Sequence, residues 1–327
     1  MMAIPVTLVL SAGLCWLYLL LARRRRWLDE PNERSSHQRP TPHGGGVPLL
    51  LAFTAGLALT VPWSDAYLLL VVIALLLMLV GVIDDLWHLS VRLRMLLYLG
   101  CCLLFCWSLL PGTGTGLGLG WQSLLLVILV LAMLWFLNLY NFMDGIDGIA
   151  AMQCILACGS AALLAWAGGS PGSAAYALFC LLLAAAHIGF LMWNWPPARL
   201  FMGDAGSIPT GFLLAGLVLL GAVQGYLNPA CWLILLAVFI TDASYTLVWR
   251  LFTGQAVTQP HRLHAYQRLS RHWQSHLSVD FVLLAINAVW LFPLAWAAQS
   301  MPDYALIMVI LAYLPLLLGM AKIRHFA

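Results

Sequence analysis

The chain has 327 residues, of which 63% are hydrophobic and only 8% charged, with a formal net charge of +3. A soluble domain carries about 25% charged residues, so the composition excludes an ordinary water-soluble protein and predicts an integral membrane protein. The net charge says little; its distribution says more.

Taking about 20 residues as a spanning helix, apolar segments fall near 3–22, 47–61, 67–83, 95–110, 121–139, 149–168, 173–192, 208–225, 230–249, 281–299 and 304–321. The pattern predicts an all-α, polytopic membrane protein of about 11 transmembrane helices, forming a single domain over 1–327. The first segment lacks a basic start and is followed by Arg23 to Arg26, the reverse of a cleavable signal peptide, so it reads as a retained span. The second is short and begins after Gly44-Gly45-Gly46. All fifteen Lys and Arg residues fall in or beside 23–46, 84–94, 193–207, 250–279 and the tail with Lys322 and Arg324, whereas the opposite loops carry Asp65 and Asp303. Positive charge marks the cytoplasm, which places the N-terminus outside and the C-terminus inside. The eight cysteines lie in apolar runs without a CxxC pair and read as small buried hydrophobes.

Most polar clusters fall on the same predicted cytoplasmic side. The first loop carries Asp29, Pro31, Asn32, Glu33, Arg34, Ser35, Ser36, His37, Pro40, Thr41, Pro42 and His43 ahead of three glycines, whose exposed amides suit a phosphate. Asp84-Asp85 closes the third apolar run, with Arg92 and Arg94 following. Asn138-Leu139-Tyr140-Asn141-Phe142-Met143-Asp144-Gly145-Ile146-Asp147-Gly148 sets two amides and two carboxylates three residues apart. As a helix it would keep them to one side over roughly 14 Å; as a wet turn it would need neither carboxylate. Like charges so spaced call for a cation or a donor-rich ligand.

Gly112 to Gly120 lacks the spacing of a nucleotide loop, falls on the outer side, and reads as a connector. His187 and Asp242 sit inside apolar runs and should face the interior or a cavity. In Phe201-Met202-Gly203-Asp204-Ala205-Gly206-Ser207, glycines flank a carboxylate suited to Mg2+ while Ser207 could cap the next helix. Pro260-His261-Arg262-Leu263-His264-Ala265-Tyr266-Gln267-Arg268, read as a helix from Pro260, lines up His261, His264, Arg268 and His272 to meet a diphosphate, or else rests on anionic headgroups.

These ordered motifs resemble the polyprenyl-phosphate N-acetylhexosamine-1-phosphate transferase family (glycosyltransferase family 4), across nearly the whole chain. The resemblance implies Mg2+-dependent transfer of a HexNAc-1-phosphate from a UDP-sugar to undecaprenyl phosphate at the cytoplasmic face of a bacterial inner membrane, with Mn2+ as a substitute ion. It implies catalytic roles for Asp84, Asp85, Asp144, Asp147, His261 and His264. Substrate contacts are implied for Asn138, Asn141, Phe201, Arg94, Arg268 and His43, and metal binding for Asp204. The implied partners are the lipid phosphate, the UDP-N-acetylhexosamine and the bilayer, with no nucleic acid and a homodimer left open. The loop to Gly46 and the His261 motif resemble the branch that initiates O-antigen and capsule. That branch commonly has arginine where this chain has His43. A cation- or proton-coupled transporter and a noncatalytic assembly scaffold are the alternatives; the first expects polar groups around the midplane.

Overall fold

The structure, a computed structural model, describes residues 2–30, 39–60, 63–110, 118–255 and 261–326. Pro31 to His37 of the first loop, Pro62, the connector up to Leu117, and Pro260 lie outside the described residues.

The described chain is helical except for one short pairing. Helix α1 (Ala3–Arg25) leads to β1 (Leu28–Asp29), which pairs antiparallel with β2 (Thr41–Pro42), Leu28 opposite Pro42. Then come α2 (Gly46–Ala58), α3 (Asp65–Trp87), α4 (Val91–Leu109), α5 (Leu119–Met143), α6 (Ile149–Gly168), α7 (Ser173–Asn194) and α8 (Asp204–Val223). The last part holds α9 (Pro229–Leu235), α10 (Ala237–Phe252), α11 (Ala265–Trp273), α12 (His276–Ala285), α13 (Phe292–Ser300) and α14 (Ala305–Ile323). A π-helical turn, Ile286–Leu291, joins α12 to α13.

Among the described residues nine helical stretches are long and apolar enough to cross a membrane, or ten when α9 and α10, bent by 71°, count as one span. The expected count of eleven differs by α2, whose 13 residues fall short of a bilayer core. Even so, α2 carries the chain to the far end of the bundle, where Trp63 packs 5.5 Å from Phe179 near the start of α7. Local signals start several helices: Ser90 accepts from the Leu93 amide, and Asn228 accepts from the Ala230 amide with Pro229 in the first turn.

Helices in lipid gain little from excluding water and associate through close packing of small residues. Helix α8 is the inner helix, packed by α3, α5 and α2. Its first turn is wedged between two glycines. A Cβ on Gly46 would lie 2.1 Å from the Gly206 Cα, and one on Gly81 would lie 2.5 Å from the Ala205 nitrogen. Backbone touches backbone at both places, so Asp204 is fixed from two sides. His187 is a satisfied core residue: its Nδ1 pairs with the Leu183 carbonyl at 2.9 Å and its Nε2 with Thr210 at 3.2 Å.

Candidate active site

The site is built where helix ends meet. α1, α3, α5 and α7 finish at one end of the bundle, and α2, α4, α6, α8 and α12 begin there. A cavity of about 680 Å³ lies among these ends. Its wall carries Asp29, Asp84, Asp85, Asp144, Asp147 and Asp204. His43, His88 and His276, with Asn141, Asn194 and Gln267, complete its polar lining, and Phe201 adds an aromatic ring. Loops far apart in sequence thus converge, as their polar content suggested.

Arg94, in the first turn of α4, ties two of the acids together. Its Nη1 donates to Asp84 Oδ2 and stands 3.3 Å from Asp204 Oδ2. Asp84 Oδ1 accepts from the Leu89 amide at 2.8 Å, which closes the turn between α3 and α4 onto the carboxylate. The other Asp204 oxygen accepts from Asn141 Nδ2 at 2.8 Å, and the same nitrogen is 2.8 Å from Ser207 Oγ. Gly203 precedes Asp204 at φ 72° and ψ 173°, a conformation suited to glycine, so the sharp entry into α8 aims the carboxylate at the cavity.

Asp85 points away from Asp84 toward His43, whose Nδ1 is 3.6 Å from its Oδ2. The nearby Asp85 carboxylate raises the His43 pKa above its usual 6.5 despite the opposing effect of burial. Asp144 titrates well above the ordinary carboxylate range, through burial first and then repulsion from Asp204 and Asp147. Six carboxyl groups thus line the cavity against three histidines, with Arg94 beside them, and crowding of the acids favours the neutral form of Asp144.

The expected helical ladder of four polar groups is interrupted. α5 ends at Met143, Asp144 occupies the cap, and Asp147 lies in the following turn. Asn138 turns back, donating to the Leu134 carbonyl at 2.8 Å. Asp147 Oδ2 accepts from the Ala198 amide at 3.0 Å and pairs with His276 Nδ1 at 3.2 Å. Gly148, at φ 82°, donates its amide to Asn194 at 3.0 Å and turns the chain into α6.

A second cavity, about 670 Å³, opens from the other side of Asp204 and runs down between α4, α5 and α10. Tyr98, Leu131, Leu134, Trp135 and Leu247 make its apolar wall. Its polar mouth holds Arg94, Asn138, His261 and His264. The two cavities share Asn141, Asp204 and Gln267.

The histidine segment is not the helix expected from Pro260. α11 starts at Ala265, and its first amides are capped by Asp242 from α10: Ala265 N donates to Oδ1 at 2.9 Å and Tyr266 N to Oδ2 at 3.0 Å. Asp242 also holds His264 Nδ1 at 3.2 Å, while the Tyr266 hydroxyl donates to the Phe142 carbonyl at 2.8 Å. The His261 pKa is pushed down to about 4 by burial, then by His264 and Arg250. Arg268 is brought to neither cavity. It donates instead to the carbonyls of Leu263, Arg324 and Phe326 at 3.1, 2.9 and 2.8 Å.

Sequence reasoning missed His276, Asn194 and Gln267. Gln267 sits inside the quoted histidine motif, which was the signal for it; His276, between Gln274 and Asp280, offered a weak signal, and Asn194 closes an apolar run by itself. Among the described residues no group of three or more His, Cys, Asp or Glu is arranged to hold a metal. The surplus of carboxylate oxygen is nevertheless the donor chemistry that suits a hard cation.

The family model described as glycosyl transferase family 4 matches residues 67–222, from α3 to the end of α8. A phospho-N-acetylmuramoyl-pentapeptide-transferase of Shouchella clausii is 32% identical, over 77% of this chain and 82% of that one. A probable undecaprenyl-phosphate N-acetylglucosaminyl 1-phosphate transferase of Bacillus subtilis is 26% identical, over 80% and 75%. A decaprenyl-phosphate N-acetylglucosaminephosphotransferase of Mycolicibacterium smegmatis is 29% identical, over 86% and 77%. Matched across most of its length, the chain belongs to the polyprenyl-phosphate sugar-1-phosphate transferase family.

Proposed function

We propose that the protein transfers an N-acetylhexosamine-1-phosphate from a UDP-sugar to undecaprenyl phosphate, releasing UMP and starting a lipid-linked glycan. The observation that carries this is the meeting of a polar and an apolar cavity at Asn141, Asp204 and Gln267. A nucleotide sugar is polar throughout, whereas a polyprenyl phosphate has one charged end on a long hydrocarbon. Each cavity offers one of them its own surroundings.

In this reaction an oxygen of the lipid phosphate bonds to the sugar-linked phosphorus while the bond to the bridging oxygen breaks, and UMP leaves with that oxygen. Both reactants are anionic, so cationic side chains must offset their repulsion. Arg94 stands between the cavities for that purpose, with His261 and His264 at the lipid side. Burial pushes the His261 pKa down to about 4, and a phosphate beside it would raise it again. Asp84 and Asp85 line the polar cavity with Asn141, Asp144, Asp147 and Phe201, where the nucleotide sugar would bind, and Asp84 reaches the lipid side through Arg94.

Asp204 would hold magnesium, or manganese in its place, which supplies charge neutralisation at the diphosphate. Magnesium commonly uses one or two carboxylates with phosphate oxygens and water, so it needs no three-ligand protein cluster. The form of the His43 loop and of the His261 motif supports a place in the O-antigen and capsule branch, with N-acetylfucosamine or N-acetylquinovosamine as the sugar. The basic loops support a cytoplasmic site in a bacterial inner membrane, with the N-terminus outside and residues 1–327 forming one transferase domain.

The test is purified protein with magnesium, undecaprenyl phosphate and a panel of radiolabelled UDP-sugars, the lipid product identified by mass spectrometry. Asp204→Asn should lower turnover by about 10²-fold or more while the protein stays folded. Near-normal turnover by that variant would remove Asp204 from the mechanism, and absence of product with every sugar would remove the mechanism itself.

A further inference from the structure

Helix α10 divides two environments. Ala243 and Leu247, one turn apart, face the cavity at the reaction centre. Val238, Asp242, Tyr245 and Trp249 form the opposite stripe, with helical spacing. Behind that stripe lie two further cavities. One, about 300 Å³, is rimmed by Tyr245, Trp249, Arg268, Arg324 and His325. The other, about 390 Å³, is walled by Val238, Leu269, Val282, Leu283, Pro315 and Gly319. They share Ala265 and Met320 and so adjoin, the basic one at the helix ends and the apolar one below it among α10, α12 and α14.

We propose that these adjoining cavities form a binding site for one anionic phospholipid, headgroup phosphate at Arg268 and Arg324 and one acyl chain between α10, α12 and α14. Three observations match that occupant. The rim is cationic where a headgroup would lie: the Arg324 guanidinium sits 4.2 Å over the Trp249 ring, which holds it at the mouth. Trp249 and the exposed Phe252 end α10, as aromatic residues do at the level of lipid headgroups. Below, α14 is notched. Pro315 and Gly319 stand one turn apart on its inner face, and a Cβ on Gly319 would meet no atom within 4 Å. A bare notch beneath a basic rim suits an amphiphile, not a free ion.

The site is separate from the one assigned to the lipid substrate. It shares no residue with either reaction-centre cavity. Its occupant would instead brace the back of α11, since Arg268 also holds the Leu263 carbonyl between His261 and His264.

Binding is read without turnover. Delipidated protein in a neutral detergent is titrated with phosphatidylglycerol, and retained lipid is counted by native mass spectrometry. Parallel arms use phosphatidylcholine, inorganic phosphate and undecaprenyl phosphate as competitors. The expected result is one phosphatidylglycerol per chain, displaced by none of the three at equal concentration. Arg324→Gln should weaken retention about 5-fold, and Gly319→Phe, which fills the notch, about tenfold. Equal retention of phosphatidylcholine, displacement by inorganic phosphate or by undecaprenyl phosphate, or unchanged retention in Arg324→Gln would each overturn the proposal. Arg324 is at the surface, so that variant remains decisive even if Gly319→Phe fails to fold.

Discussion

Gly81→Ala is a one-methyl change on a helix face that touches no substrate, yet it should disable the site. The added Cβ would sit 2.5 Å from the Ala205 nitrogen and 2.7 Å from the Asp204 carbonyl carbon. Non-bonded heavy atoms settle at about 3.5–4.0 Å, so α3 and α8 must part by roughly 1 Å. Both obstructing atoms are backbone, and Gly46 blocks retreat on the other side. Asp204 would then lose its 2.8 Å bond from Asn141 and its 3.3 Å approach to Arg94. Overpacking of this kind costs about 1–3 kcal/mol of stability, and a 1 Å misplacement of a reacting group costs on the order of 10²-fold in rate. The measurement is kcat with UDP-sugar and undecaprenyl phosphate, beside Tm in the same detergent. Gly100→Ala is the control: its Cβ meets nothing within 4 Å, so removing a helix-interior glycine should leave kcat unchanged and add about 0.5–1 kcal/mol. Should Gly81→Ala match the control in both kcat and Tm, the wedge does not position Asp204.

Other perturbations follow from the same contacts. Asp242→Asn leaves one acceptor for two buried amides, so α11 should loosen by about 1–2 kcal/mol; hydrogen exchange at 265–268 as slow as in the parent protein would contradict the cap. His43 has its pKa raised above 6.5 by Asp85, so the stabilisation it gives is complete below 6.5 and is lost as pH rises through the higher folded value. His43→Gln should flatten the decline of Tm over that interval, and parallel pH profiles for the two proteins would rule the contact out. Asp280, buried in α12, has no hydrogen-bond partner for either carboxylate oxygen among the described residues. Asp280→Asn should raise stability by about 1 kcal/mol; a lower Tm would mean the carboxylate has a role that this geometry does not display.

How much of this was legible beforehand depended on whether the cause was local. Apolar runs and basic loops report on lipid and charge, so every predicted span contains a helix. What escaped depends on distant partners. α2 looked merely short, and only distant contacts explain the three glycines at its start: Gly44 lies against Tyr18, Gly45 against Phe190 and Leu200, and Gly46 against Gly206 of α8. Asp242 read as a costly residue in an apolar span because the amides it caps are more than twenty residues on. Arg268 carries the charge expected of a ligand for the reacting phosphates, but carbonyls of Leu263 and of the residues after α14 hold it outside both reaction-centre cavities. The ladder from Asn138 to Asp147 kept its role as a cluster and lost its helical geometry, since Asp144 and Gly145 end the helix first. The acidic cavity itself was foreseeable from composition: so many carboxylates at one end of a bundle have few other places to go.

The 71° bend between α9 and α10 has a kinetic corollary. Past it α10 packs on α5 and, with α4, walls the apolar cavity that meets the polar one at Asp204, so under the proposed function the lipid and the nucleotide sugar enter by separate openings. Neither reactant must pass where the other sits, and neither product blocks the other's exit. Separate openings predict no compulsory order of arrival: steady-state lines should intersect when either substrate is varied, and strictly ordered product-inhibition patterns would contradict it.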